Sequence, residues 1–357
     1  MAIKHTTLAD IAARAGVASM TVSRVINRSG YVSREVGKRV QRAIRELDYR
    51  PNILARSLKK QRTHVVGILL PDIANPFSAE LAQGIRQVLL ARGYTAFLST
   101  SDRSIDREQE ALQAFFDHRV DGIIVATRAT RRGNEALIRL TDRGMPLVVV
   151  GRDLRHAAMD RVAADEVKGG QEAVEHLILL GHRRIAFLGV SPSAGSGLRR
   201  YQGYLAALRA RGLPLVKEWV VGPGAGPHPG YSTQEDGFEG MHRLLALTRR
   251  PTAVFARNDY TAMGAMRAVR AAGLSIPDDI AIVGFDNVPL SAFTSPPLTT
   301  VEQPTAEEGS QAATLLLDRI QESAPRQRRE VMFECRLVLR ESTGRGRPSP
   351  KALDRTR

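Results

Sequence analysis

Seven short, continuously apolar runs recur between residues 64 and 285. They are HVVGILL at 64–70, TAFLS at 95–99, DGIIVAT at 121–127, PLVVVG at 146–151, RIAFLG at 184–189, TAVFA at 252–256 and IAIVGF at 280–285. A run with no polar alternation cannot present one face to water, so each reads as a parallel strand covered on both sides. Stretches with helical periodicity separate them, as around 77–92 and 106–118. The runs fall into two series of similar size, which implies two doubly wound α/β subdomains. Ligands of such sheets bind outside the carboxyl ends of the strands, so the cleft between two lobes is the expected site.

The first sixty residues differ from this body. Residues 1–62 hold 14 Lys/Arg against 4 Asp/Glu, and residues 343–357 hold 5 against 1, so the net charge of +15 belongs to the two ends. A neutral body with a basic head points to a polyanionic partner for the head alone. At 357 residues and 43% hydrophobic, the chain is long and apolar enough for real cores. No apolar run approaches the ~20 residues needed to cross a bilayer, and MAIKHTTLAD has no apolar secretion segment. The single cysteine, Cys335, excludes an internal disulfide and lies in the alternating run VMFECRLVL, where it reads as a strand residue. The expected location is the cytoplasm.

Within the head, TLADIAARA at 7–15 places Leu8, Ile11, Ala12 and Ala15 on one helical face, with Thr7 and Asp10 in capping-box positions. Gly16 permits a tight turn. SMTVSRVIN at 19–27 turns Val22, Val25 and Ile26 inward and leaves Ser19, Met20, Ser23 and Arg24 outside. A third helix is expected from about Ser33 to Leu47. Three short helices, the first two joined at a glycine, read as a helix-turn-helix whose second helix enters the major groove.

The segment TLADIAARAGVASMTVSRVIN, followed by YRPN at 49–52 and ARSL at 55–58, resembles the DNA-binding head of the LacI/GalR family of bacterial transcription regulators. The resemblance implies Ser19, Met20 and Arg24 as base readers, and Arg24 has the chemistry for a bidentate bond to guanine. It implies Thr7, Thr21, Ser23, Asn27 and Tyr31 as phosphate-positioning residues. Ala18 departs from the family, which usually carries Ser or Thr there; losing that N-cap costs of order 1 kcal/mol.

NILARSLKK at 52–60 mixes apolar and basic residues and is too short to be a stable helix alone. Family position makes it a hinge helix that folds on the minor groove. Leu58 is then the wedge beside Ala55, Asn52 the cap, and Arg56 and Lys59 phosphate contacts.

The resemblance continues through LLPDIANPFSAELAQGI, HLILLGHRRIAFLG, RRYQGYLAAL, NDYTAMGAMRAVRAAGLSIPDDIAIVGFDN and PPLTTVEQP, which look like the sugar-responsive core of the same regulators. It implies Phe77, Arg200, Asn258, Asp286 and Gln303 around the ligand, with Tyr231 as an aromatic wall. Strand-end position adds Asp102 and Arg152. Asn, Asp and Arg with a few aromatics suit a polyhydroxylated ligand, whose hydroxyls need donors and acceptors.

The expected architecture is an all-α helix-turn-helix head with a hinge helix, then two doubly wound parallel-sheet subdomains like those of periplasmic binding proteins. The expected domains are the head at 1–50, the hinge at 51–62 and the core at 63–342, followed by a disordered basic tail at 343–357. Within the core, lobe 1 is expected at about 63–161 and 291–323, and lobe 2 at about 162–290 and 324–342. The expected function is a repressor of carbohydrate genes that binds a palindromic operator as a homodimer and answers to a sugar or sugar acid. The other readings are control by a phosphocarrier-like protein and a plain sugar-binding protein. No nucleotide loop, nucleophile elbow or metal-ligand spacing is present in the sequence, so no enzyme, cofactor or metal is expected.

Overall fold

The computed structural model describes residues 6–27, 29–49, 62–102, 104–127, 131–189, 196–222, 233–322 and 327–344. The chain divides into two compact units, residues 1–63 and 64–357. The expected hinge helix with Asn52, Ala55, Arg56, Leu58 and Lys59, and also Tyr231 and the tail from 345, lie outside the described residues.

The first unit holds α1 (Leu8–Ala15), α2 (Ser19–Asn27) and α3 (Arg34–Glu46). Thr7 and Asp10 close a capping box at the start of α1, with Asp10 Oδ2 accepting from the Thr7 amide at 2.8 Å. Gly16 ends α1 at φ 63°, the left-handed conformation that a side chain disfavours. Ile11, Ala12, Ala15, Val22, Val40 and Ala43 form the core, and Val25 and Ile26 pack half-buried against it. Leu8, expected on the inner face, is 37% exposed at the end of the helix.

The second unit opens with β1 (Val65–Leu70), α4 (Pro76–Ala91), β2 (Thr95–Thr100), α5 (Ile105–Asp117), β3 (Gly122–Val125), α6 (Arg131–Asp142), β4 (Leu147–Val150) and β5 (Met159–Ala164). It continues with α7 (Glu166–Leu179), β6 (Ile185–Leu188), α8 (Ser196–Ala210), β7 (Val220–Val221), α9 (Gln234–Leu245), β8 (Ala253–Ala256), α10 (Asp259–Ala271) and β9 (Ala281–Asp286). The last elements are β10 (Thr299–Glu302), α11 (Thr305–Ile320), β11 (Glu330–Phe333) and β12 (Arg336–Val338). Lobe 1 is a parallel sheet in the order β11-β5-β4-β3-β1-β2. Lobe 2 has the order β12-β10-β9-β8-β6-β7, parallel except for antiparallel β12. The apolar runs at β3, β4, β6 and β8 are buried at every residue, as strands covered on both faces must be.

The lobe boundaries differ from the sequence expectation. The chain crosses after Ala164, not near 161, because β5 belongs entirely to lobe 1. Residues 291–302, expected in lobe 1, carry β10, which pairs with β9 in lobe 2. VMFECRLVLRES does not return whole to lobe 2: β11 pairs with β5, and only β12 joins the second sheet. Cys335 sits in the break between those strands rather than within one. Strand β5 is disguised in the sequence by Asp160 and Arg161, both buried. Burial disfavours the Asp160 carboxylate, and the bonds it accepts from Arg319 Nε at 2.8 Å and from the Arg329 amide at 2.7 Å more than offset this. That network also ties α11 to lobe 1. There α11 packs on α4 with almost no gap, and a Cβ on Gly84 would overlap the Ala306 carbonyl.

Candidate functional site

On the head, the burial of Val22 fixes which face of α2 points away from the core. Ser19, Met20 and Arg24 are exposed on it, and Met20 is 66% exposed. Met20 and Arg24 are one turn apart, so they share a face. The Arg24 stem passes the turn at Gly30, and its guanidinium has no hydrogen-bond partner among the described residues. Arg14, by contrast, is paired with Glu46 at 2.6 Å. Thr21 and Ser23 are half-buried; Asn27 Nδ2 donates to the Ser23 carbonyl at 2.9 Å, and Tyr31 is 90% exposed. The hydroxyl of Thr7 is engaged by Asp10 at 2.7 Å. Helix α2 begins at Ser19 with the Thr21 and Val22 amides bonded to the Ala18 carbonyl. Ala18 has no side-chain acceptor to cap the Ser19 and Met20 N–H groups at the start of the helix, an arrangement that suits a phosphate.

In the second unit, the crossings between lobes follow the carboxyl ends of β5, β10 and β11. The topology thereby gathers Glu166, Gln303 and Cys335 beside the end of β9, where Asp286 stands. Helix α8 adds Arg199 and Arg200. Arg200 is 5% exposed and donates to Glu166 at 2.9 Å, to Asp286 at 3.0 Å and to the Arg257 carbonyl at 2.6 Å. Its guanidinium lies 3.9 Å from the Phe285 ring centroid, close enough for a cation–π contact. Arg199 donates to Glu166 at 2.7 Å and to the Gly151 carbonyl, which joins α8 of lobe 2 to the end of β4 in lobe 1. Gln303 Nε2 donates to Asp286 at 2.8 Å. A second bridge between lobes runs from the Tyr260 hydroxyl to the Ala74 carbonyl at 3.3 Å.

The electrostatics follow from burial against pairing. Burial raises the Glu166 carboxyl, but Arg200 and Arg199 outweigh it and hold that group below its ordinary range. For Asp286, burial exceeds what Arg200 returns, and the carboxyl is held above its ordinary value. Asp259 starts α10, accepts from the Val288 amide at 2.8 Å, and is pushed up to about 8 by burial and by Asp286.

The remaining expected ligand residues divide. Phe77 is half-buried in the first turn of α4, its amide bonded to the Asn75 cap at 3.1 Å. Asn258 is the N-cap of α10, its Oδ1 accepting from the Thr261 amide and hydroxyl at 2.9 and 2.7 Å. Arg152 is held inside lobe 1: it is 1% exposed and bonded to Asn134 at 2.8 Å, Thr127 at 2.9 Å and Glu108 at 3.1 Å. Asp102 is exposed on the edge-strand side and paired with Arg107 and Thr100. Sequence reasoning missed Glu166 and Arg199. The doubled arginine in RRYQGY was the one visible signal, and nothing marked Glu166, because β5 before it was unread.

Residues 7–52 match the family model of bacterial regulatory proteins of the lacI family, and residues 174–343 match the periplasmic binding protein-like domain. The HTH-type transcriptional repressor PurR of Pasteurella multocida (strain Pm70) is 35% identical over 339 residues, covering 94% of this chain and 98% of the relative. The lac repressor dimer bound to operator and the anti-inducer ONPF superposes with a TM-score of 0.85 at 27% identity, covering 96% of this chain and 100% of the other. The transcriptional regulator CelR in its cellobiose complex gives a TM-score of 0.71 at 33% identity, covering 95% and 100%. A helix-turn-helix whose second helix has an exposed outer face and a two-lobed core, matched over nearly the whole length of these regulators, leave one conclusion: the chain belongs to the lacI family of bacterial regulatory proteins and is a DNA-binding transcriptional repressor, not an enzyme.

Proposed function

We propose that this repressor binds a palindromic operator as a homodimer and is controlled by a small polar effector, a sugar or sugar acid, held at the lobe crossovers. The observation that carries the reading is the buried cluster of Arg199, Glu166, Arg200, Asp286 and Gln303 at the carboxyl ends of the strands. Such a cluster is costly unless something uses it, and it lies where doubly wound sheets bind ligands. A ligand that binds one arrangement of the lobes better shifts the population, and a useful response needs a coupling of ~1–3 kcal/mol. A two-fold operator matches a two-fold protein, as in the lac repressor dimer. Ser19, Met20 and Arg24 read bases in this scheme, Thr7, Thr21, Ser23, Asn27 and Tyr31 hold phosphates, and the hinge at 51–62 enters the minor groove. The protein then acts on DNA in the cytoplasm.

A second effector class, purines, is favoured by the PurR relatives. Calorimetric titration with sugars, sugar acids and purine bases separates the two. Asp286→Ala should abolish the response of operator binding to the effector and leave operator affinity intact. A normal response in that variant overturns the placement of the site.

A further inference from the structure

Glu308 lies in the first turn of α11, in lobe 1, and is 2% exposed. The groups whose fields it feels are all on lobe 2 or at the crossing: Glu166 at the start of α7, Arg199 and Arg200 on α8, and Asp286 at the end of β9. Cys335, between β11 and β12, feels Glu308 in turn. Glu308 therefore faces the crossover cluster from the opposite lobe. Its Oε1 is fully buried and has no hydrogen-bond partner among the described residues. A buried polar atom left unmatched costs about 1–3 kcal/mol, so it needs a reason.

The cluster does not supply one. Two carboxylates, Glu166 and Asp286, already face two guanidiniums, Arg199 and Arg200. The bonding nitrogens of Arg200 are committed to Glu166, Asp286 and the Arg257 carbonyl. Ionising Glu308 would add a third negative charge against the same two guanidiniums, which already serve Glu166 and Asp286.

We propose that Glu308 is an effector-contacting residue: a neutral carboxylic acid that donates a hydrogen bond from lobe 1 to a hydroxyl, carbonyl or ring-nitrogen acceptor on the effector. This rests on the effector site proposed above and adds the chemistry by which lobe 1 recognises its ligand. Burial and the neighbouring Glu166 push the Glu308 carboxyl up to about 8, which keeps the proton in place at neutral pH. The effector's acceptor is then what completes the group, and the contact draws lobe 1 onto a ligand already held by lobe 2.

The test uses the full chain with cellobiose, D-gluconate and hypoxanthine as probes, followed by thermal shift and calorimetry from pH 6.5 to 9. Whichever probe binds the wild type should lose affinity about tenfold per pH unit once Glu308 ionises, above about pH 8. E308Q, which keeps a donor and cannot ionise, should bind within a few-fold of wild type with a flat pH profile. E308L should bind at least about tenfold more weakly. A second measurement needs no ligand. Because the native value is raised above the ordinary one of 4.5, the wild type loses stability relative to E308Q as pH rises between those values. If no probe binds the wild type, the effector reading fails and this proposal with it. If a probe binds E308L as tightly as wild type, or wild-type affinity is flat across pH, the effector reading stands and the Glu308 proposal is overturned. Should E308L not fold, the E308Q profile decides.

Discussion

Glu166→Gln is the substitution that most directly probes the crossover cluster. Glutamine keeps the shape of the side chain and removes its charge. Glu166 is 4% exposed and serves Arg199 at 2.7 Å and Arg200 at 2.9 Å. Without its charge, two guanidiniums must share the single carboxylate of Asp286. Removing one partner of a buried ion pair costs about 3–5 kcal/mol, mostly through the uncompensated charge left behind. For a unit of this size, each kcal/mol corresponds to roughly 2–4 °C in Tm, so a fall of roughly 6–20 °C is expected. Urea denaturation at pH 7 should show a lower midpoint with an unchanged slope. The sign with pH follows from the lowered native value of Glu166. Its contribution is fully present above the unfolded value near 4.5 and is lost as pH falls through the native one. The gap between wild type and variant should therefore be widest at neutral pH and close in acid. A double-mutant cycle with Arg199→Gln should give a coupling of about 0.5–3 kcal/mol. A loss under about 1 kcal/mol, the worth of an exposed pair, would refute the reasoning, as would a gap that persists unchanged to pH 3.

Arg24→Ala should relax base choice at one operator position at a cost of ~1–3 kcal/mol, read by binding to a set of single-base operator variants; unchanged specificity means that α2 is not the reading helix as described. Gly84→Ala should destabilise lobe 1 by about 1–3 kcal/mol in calorimetry, because the new methyl meets the Ala306 backbone carbonyl; a neutral result would refute the close packing of α4 on α11.

The elements carried by local pattern were legible. The Thr7–Asp10 capping box, the Gly16 turn and the apolar runs at β3, β4, β6 and β8 need only neighbouring residues to declare themselves, and the structure has them as expected. Strand β5 was not legible, because Asp160 and Arg161 look like solvent-facing residues until Arg319 and Arg329, more than 150 positions away, appear beside the first of them. Of the expected ligand residues, Arg200, Asp286 and Gln303 converge on one cluster, while Arg152 and Asp102 are engaged within lobe 1 by Glu108 and Arg107. Strand-end position alone cannot separate these cases. It says which loops reach the carboxyl edge, not where each side chain finds its partner.

What the sequence determined by itself is therefore the class of machine: a basic helical head, a two-lobed α/β body, and which face of α2 is left outside the core. Those follow from periodicity, charge and capping, which act over a few residues. Only the tertiary structure decided what sits at the crossovers. Glu166, Arg199 and Glu308 are far apart in the chain, and no local pattern marks them as neighbours of Asp286. They come together because three crossings bring them into one buried cluster, where each charge must be matched or neutralised.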